Sequence, residues 1–522
     1  MRISRTPVLA ALLALLSFSC SWSAEPIRDP SRKGFGGETC IRCHTSEKPP
    51  APGLVEETFD TVIVGGGMAG LAALHYLPDR KAVLLEAEDQ AGGQMRMDSW
   101  GSKRFSQGAA YLVGAYGILQ DFYNAEKLPI VRIPEPENSA WIGGKFYPAC
   151  WTHEGRDKMP WTGQAMKNWL AFLEEMEKVN NMNESNQPFE AFTWEQQQLD
   201  DISTYDWLKK KGLTEEMIEH FDRYIPSCFG VESKDLSAAA FANYISGEIG
   251  GNYTMEGGMG AVTNHIYKNH KRNIRLGCRV THVFQTRDDV RITYLGPDGR
   301  GHTIRGRTAI LAVPQNLVPE MMPDLPQEKK DVIAGTRYAA YTVANVLCKE
   351  VLWDDKGYDT WTQGTFFRDI IDADWINRKG KPHTNKKQPH VLTLYIPMGV
   401  DGMKAQMEWN PSVWKEKVLT DLETIIPGCR EKIEDVRFYR WGHSMHVCEP
   451  GFLKKAVPVL RKPYYRVFFA GAEVEGLPCN ESAIFSGYFA ARGVQTWLWD
   501  TVPGARGLLK GALDMRLKMG LD

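Results

Sequence analysis

Two short constellations in this chain carry recognisable chemistry. Cys40-Ile41-Arg42-Cys43-His44 has the Cys-x-x-Cys-His spacing. There, two thiols form thioethers to the vinyl groups of a porphyrin and the adjacent imidazole becomes an axial ligand of its iron. Cys40 and Cys43 are thus expected to hold a c-type haem covalently, with His44 on the metal. A structural zinc site on these residues would need a second Cys or His pair at suitable spacing, and none lies nearby. The second constellation is Gly65-x-Gly67-x-x-Gly70, preceded by Thr61-Val62-Ile63-Val64 and followed by Glu86. Gly65 permits a tight turn, Gly67 lets a pyrophosphate approach the backbone, and Gly70 allows a helix to touch a strand. Glu86 is placed to bind ribose hydroxyls, and its charge disfavours a 2′-phosphate. One chain therefore combines a two-electron dinucleotide centre with a one-electron outlet.

These residues need elements to hold them. A β-branched strand is expected at 60–64, a helix at 68–77 and a second strand at 82–86. Helices follow over 160–248, with amphipathic runs at 165–179 and 214–224. Strand alternation returns at 274–284, 290–294, 308–313, 341–347 and 391–396. A buried strand at 466–470 leads through a Gly-rich turn into a helix at 482–498. The pattern predicts an α/β fold. A Rossmann-like dinucleotide-binding domain takes 58–115, 255–330 and 431–500. An inserted mixed α+β substrate domain takes 116–254 and 331–430, and a short haem-bearing segment takes 25–57. That segment, about thirty residues, is too small to fold alone, so the body of the protein must supply most of the haem pocket.

The 522 residues suffice for more than one domain. A net charge of −2 shows no basic excess for nucleic acid. Residues 1–24 read as an export signal: Arg2 and Arg5 head an apolar run at 8–16 that is too short to span a bilayer. A periplasmic or equivalent exported location is expected, with lipidation at Cys20 as the alternative to simple cleavage. Residues 505–519 form a basic amphipathic helix that either touches a membrane surface or packs on its own domain. Beyond Cys20 and the haem pair, seven scattered cysteines show no pairing pattern and read as buried thiols.

Further segments narrow the dinucleotide. Glu86-Ala87-Glu88-Asp89-Gln90-Ala91-Gly92-Gly93-Gln94, Phe468-Phe469-Ala470-Gly471-Ala472-Glu473 and Glu481-Ser482-Ala483 through Gly487 resemble the flavin amine oxidase and phytoene desaturase superfamily. So do Tyr253 through Met259 and Ala312-Val313-Pro314. The resemblance covers about 58–500 and implies FAD held from both ends of the chain. It implies contacts from Met68, Ala69, Ala87, Gly93, Gln94, Gly108, Ala109, Gly471 and Ala483. Glu473 falls at the ribityl chain, Val280 at the adenine through its backbone, and the helix near Ser482 aims amides at the flavin N1/O2 edge. The chain also departs from the family, with Gln94 and Glu88 where arginines are common. The lysine that holds a water at the flavin in amine oxidases falls near Val343, and an aromatic-cage position falls at Cys479.

Trp441-Gly442-His443-Ser444-Met445-His446 resembles a segment lining the substrate side of the flavin in dehydrogenase members. His443 or His446 serves there as general base or hydrogen-bond donor, or with Met445 as a distal haem ligand. The leading expectation is an exported flavocytochrome that oxidises an amine and passes electrons through haem to a soluble cytochrome. Alternatives are a desaturase or isomerase of a lipid-like substrate, and an electron-transfer subunit with no substrate of its own. An acid-lined cavity favours amines, and a long apolar tunnel favours lipids.

Overall fold

The computed structural model describes residues 39–41, 51–77, 81–115, 117–181, 188–354 and 356–500. The expected export signal, Cys43, His44 and the helix at 505–519 lie outside them.

The chemistry-bearing strand is longer than its β-branched kernel, running Val55–Val64. It pairs in parallel with Ala82–Leu85 on one side and Gly301–Leu311 on the other. Val467–Phe469, near the other end of the chain, adds a fourth parallel strand beside Gly301–Leu311. Ile274–Arg275 extends one edge, and the hairpin strands Val290–Leu295 and Arg279–Gln285 extend the other. The single strand expected over 274–284 is thus two, broken at Gly277 in a left-handed conformation (φ +69°).

Met68–His75 is rich in the strong helix formers Ala and Leu. Every residue from Met68 to Leu74 is buried, so the helix is apolar all round, as a helix covered on several sides must be. Its cover is the first sheet and the long helix Asn480–Asp500. Leu71 and Ile63 are wholly buried, each side chain stabilising the fold by about 1.5–3 kcal/mol.

The second sheet has eight strands. Tyr338–Cys348 is its buried centre, flanked antiparallel by His390–Gly399 and Ile433–His446. Ile433–His446 therefore belongs to this sheet, although its sequence position groups it with the nucleotide half. Asp369–Asp372, Asp359–Thr362 and Asn138–Ile142 continue one side. On the other, Thr39–Ile41 pairs in parallel with Tyr439–Trp441, which sets the Cys40 backbone opposite Arg440. One rung crosses the sheet as Trp361, Asp369, Tyr395, Val343, Tyr439 and Thr39. Residues directly paired in this way share a sheet face.

A helical layer of Gly163–Asn181, Glu215–Phe229 and Ala238–Gly250 accounts for the amphipathic runs. Its core is aromatic: Trp169, Phe221 and Tyr224 pack with Trp151 and Trp361. Among the described residues no helix is long and apolar enough to cross a membrane.

Candidate active site

The glycine turn is shaped by close contacts. A side chain on Gly65 (φ +104°) would meet the Ala312 carbonyl oxygen at 2.4 Å, and one on Gly70 would meet the Gly65 oxygen at 2.0 Å. Gly67 opens the helix without a side-chain cap, so its first amides remain available to a ligand. Gly92 donates to the Gly66 carbonyl, and Gly93 lies close against Gly67.

Glu86 closes the second strand. Its carboxylate accepts hydrogen bonds from the Gly66 amide at 2.6 Å and the Glu88 amide at 2.9 Å. Burial raises its pKa, and these two amides oppose the rise. Ala87 and Val280 stand half-buried near this end. Arg96 is buried and ion-paired with Glu88 and Asp89. It brings an arginine close to the loop despite the departures at Gln94 and Glu88.

Gln94 donates to the Ser444 carbonyl, tying the turn to the second sheet. Between the two sheets lies a cavity of about 1210 Å³ of empty space, open mouth included. Its walls take in Gly67, Met68, Ala69, Gly93, Gln94, Gly108, Ala109, Gly471, Glu473 and Ala483 among the expected cofactor residues. Glu473 Oε1 accepts from the Tyr338 hydroxyl and the Gln315 amide, each at 3.3 Å. Gly471 (φ +152°) has no room for a side chain, which would meet Glu473 Oε2 at 2.8 Å. Asn480–Asp500 starts at the cavity wall, and Ser482 Oγ lies 3.5 Å from Cys479 Sγ. Glu481 accepts from the Val113 amide at 2.8 Å, and burial pushes its carboxyl up to about 7.

A cradle of side-chain-free glycines, an uncapped helix start and a carboxylate at the second strand end fit a dinucleotide extending from Glu86 into the cavity.

The second sheet supplies the other wall. Val343 is on it, together with Tyr341, Tyr395 and Trp441. Tyr341 donates to the Ser227 carbonyl, Tyr395 to the Gly108 carbonyl and Trp441 to the Gln107 carbonyl, so each ring is fixed in direction. Tyr111, Tyr244, Cys228 and Cys479 complete this end, and burial pushes both thiols up, keeping them un-ionised. The sequence reading missed these tyrosines. The alternation that puts Tyr341 and Val343 on one face was visible, but not what that face meets.

Behind the tyrosines are buried carboxyls. Asp369 is the rung neighbour of Tyr395. Neither Asp359 oxygen nor Asp369 Oδ1 has a hydrogen-bond partner among the described residues. Burial holds both carboxyls well above the usual range; the Asp369 charge adds to the rise at Asp359, and the Glu248 charge to both. Glu248 accepts from Asn252 at 2.6 Å and is pushed up to about 7 by burial.

The histidines separate. His446 lines the cavity, buried, with Nε2–H donating to the Gly476 carbonyl at 2.8 Å. Burial lowers its pKa and keeps it neutral. His443 faces a different cleft, edge-on to Tyr338 at 5.7 Å, with Glu320 and Lys330 also on its walls. The strand irregularity opposite Ala339–Tyr341 separates the two side chains.

Solved structures similar to this one include a double mutant of putrescine oxidase, with TM-score 0.68 and 18% identity over 84% of this chain and 99% of that one. Cyclohexylamine oxidase from Brevibacterium oxydans gives 0.65 and 17% over 84% and 99%. A putative protoporphyrinogen oxidase from Exiguobacterium gives 0.61 and 16% over 85% and 100%. In sequence, amine oxidase B of Homo sapiens is 24% identical over 466 residues, 83% of this chain and 86% of the human one. The flavin-containing amine oxidase of Oncorhynchus mykiss is 21% identical over 485 residues, 86% and 89%. Residues 68–495 match the family described as flavin containing amine oxidoreductase, and the chain belongs to that family as an FAD-dependent oxidoreductase.

Proposed function

We propose that this protein is an exported flavocytochrome that oxidises a primary or secondary amine and passes the electrons singly through a c-type haem to a soluble cytochrome. FAD supplies the hydride acceptor for the C–H next to nitrogen. The chain's own residues supply recognition. The carrying observation is a group of buried acids close to the cavity's tyrosines: Asp369 is paired across the sheet with Tyr395, and Glu248, Asp359 and Asp369 each keep an oxygen without a partner among the described residues. Buried carboxyls of this kind are costly unless a cation meets them, and an alkylammonium group supplies one. A hydrocarbon substrate would gain nothing from them.

Val343, on the wall where amine oxidases carry a lysine, supports electron transfer to a protein acceptor over reaction with oxygen. The haem reading rests on Cys40, Cys43 and His44. The pairing of Thr39–Ile41 with Tyr439–Trp441 supports it, since Trp441 also lines the cavity. Export rests on the charged and apolar runs before residue 25 and agrees with the compartment in which such haems are attached.

Anaerobic mixing of the purified protein with a panel of amines tests this reading. The flavin absorbance is expected to bleach first, and the reduced-haem band to rise afterwards. If dithionite reduces both centres and no amine reduces either, the amine reading fails. If amines bleach the flavin with no haem band, the electron outlet fails.

A further inference from the structure

We infer a second site, remote from the flavin cavity: a buried two-histidine, one-carboxylate centre for a divalent transition metal of the zinc class, formed by Asp374, His383 and His390. Each of the three offers a ligand atom within 4.8 Å of the other two, and all three are buried.

The stronger observation is how the imidazoles are held. His383 directs Nδ1 at Asp354 Oδ1 (2.7 Å), and its Nε2 is buried without a partner among the described residues. His390 directs Nε2 at Asp372 Oδ1 (3.0 Å), and its Nδ1 is likewise buried without a partner among them. Metal-binding histidines are arranged in this way, with one ring N–H donated to a carboxylate so that the other nitrogen keeps its lone pair for the ion. Unpaired buried imidazole nitrogens are rare and call for an explanation. Here two occur, on the two histidines that cluster with Asp374.

The surrounding charge is accounted for. Arg378 pairs with Asp372 and Asp354, Lys386 with Asp354, and Lys103 with Asp374 Oδ2 at 2.6 Å. These cations neutralise the outer carboxylates, so the ion meets two imidazoles and the remaining oxygen of Asp374. Ligand atoms around a tetrahedral ion at ~2.0–2.1 Å stand about 3.4 Å apart, so the three groups need only a small inward turn. Water completes the shell. The ligands come from the segment joining Asp369–Asp372 to His390–Gly399 and from the first residue of the latter strand. An ion there fastens that connection to the sheet.

The other histidine cluster lacks this construction. His75 Nδ1 and His270 Nε2 both point at Glu126 Oε1, each at 2.5 Å, and are already satisfied by it.

The test uses the full-length protein with its flavin and haem. After chelator treatment and dialysis, zinc is added and counted by elemental analysis, separately from haem iron. One zinc per chain is expected at low micromolar free metal, together with a rise in unfolding temperature. His383→Gln and His390→Gln are each expected to lose the zinc and the rise while keeping FAD. His75→Gln is expected to keep all three. Asp374→Asn, a near-isosteric change, is expected to weaken zinc binding at least tenfold and covers the case in which a histidine variant fails to fold. No stoichiometric zinc in the wild-type protein, or zinc retained in His383→Gln/His390→Gln, overturns the proposal.

Discussion

Gly70→Ala is expected to yield a protein that retains little or no FAD. The added methyl would stand 2.0 Å from the Gly65 carbonyl oxygen and 3.3 Å from Ala312 Cβ. The Gly65 side has no slack, because that residue holds a left-handed backbone against the Ala312 carbonyl. Relief therefore requires the helix start to leave the strand end, taking its amides away from the pyrophosphate. Flavin content of the purified variant, read against protein, is expected to fall at least tenfold. Gly335→Ala is the control, since a methyl there meets nothing within 4 Å, and it is expected to keep full FAD. Full occupancy in Gly70→Ala would falsify this account of the turn.

Glu248→Gln is expected to stabilise the fold at high pH and to impair amine oxidation. Burial holds Glu248 protonated up to about 7 in the folded chain, whereas the unfolded side chain ionises near 4.3. Between those values the folded state binds more protons, so stability falls as pH rises through the window. The total approaches about 3–4 kcal/mol for this one group above pH 7. Glutamine removes that penalty, so urea unfolding of the variant is expected to show a gain over wild type at pH 8 and little difference at pH 4. Function moves the other way. On the proposed reading, ionisation near 7 creates the anion that favours an ammonium group in the cavity, so wild-type KM for a cationic amine is expected to fall between pH 6 and 8. In Glu248→Gln that trend is expected to flatten. Loss of one desolvated charge pair, at about 2 kcal/mol, lowers kcat/KM roughly thirtyfold. A variant with unchanged KM across this range would remove Glu248 from substrate recognition.

Much of the nucleotide half was legible in the sequence because its signals are local. Thr61 to Gly70 contains a strand, a turn and a helix start within ten residues. Gly471 and Glu473 announce themselves in the same way, through a backbone that only glycine tolerates beside a carboxylate. The substrate wall is different. Tyr111, Tyr244, Tyr341 and Tyr395 come from four segments, two of them strands of one sheet and one the helix Ala238–Gly250, and meet only once these pack together. Nothing local to Asp359 or Asp369 marks them as buried acids with unpartnered oxygens among the described residues, since isolated carboxylates in short alternating runs usually face water. His443 and His446 look equivalent on the chain, and a strand irregularity that the sequence does not announce divides them. The pairing of His383 with His390 was likewise hidden, because the partners on Asp354 and Asp372 become visible only once the strands are in register.

The rung from Trp361 through Asp369, Tyr395, Val343 and Tyr439 to Thr39 has a further meaning. It sets Tyr395 and the buried Asp369, whose carboxyl burial holds well above the usual range, on one side of the central Val343 strand, and the Cys40 strand at the edge on the other. An amine recognised beside Tyr395 and a protein docked at the Cys40 edge would approach from opposite sides of the Val343 strand. On the proposed reading they do not compete for space. Steady-state turnover should then show each saturating independently, with the acceptor's apparent KM indifferent to which amine is supplied.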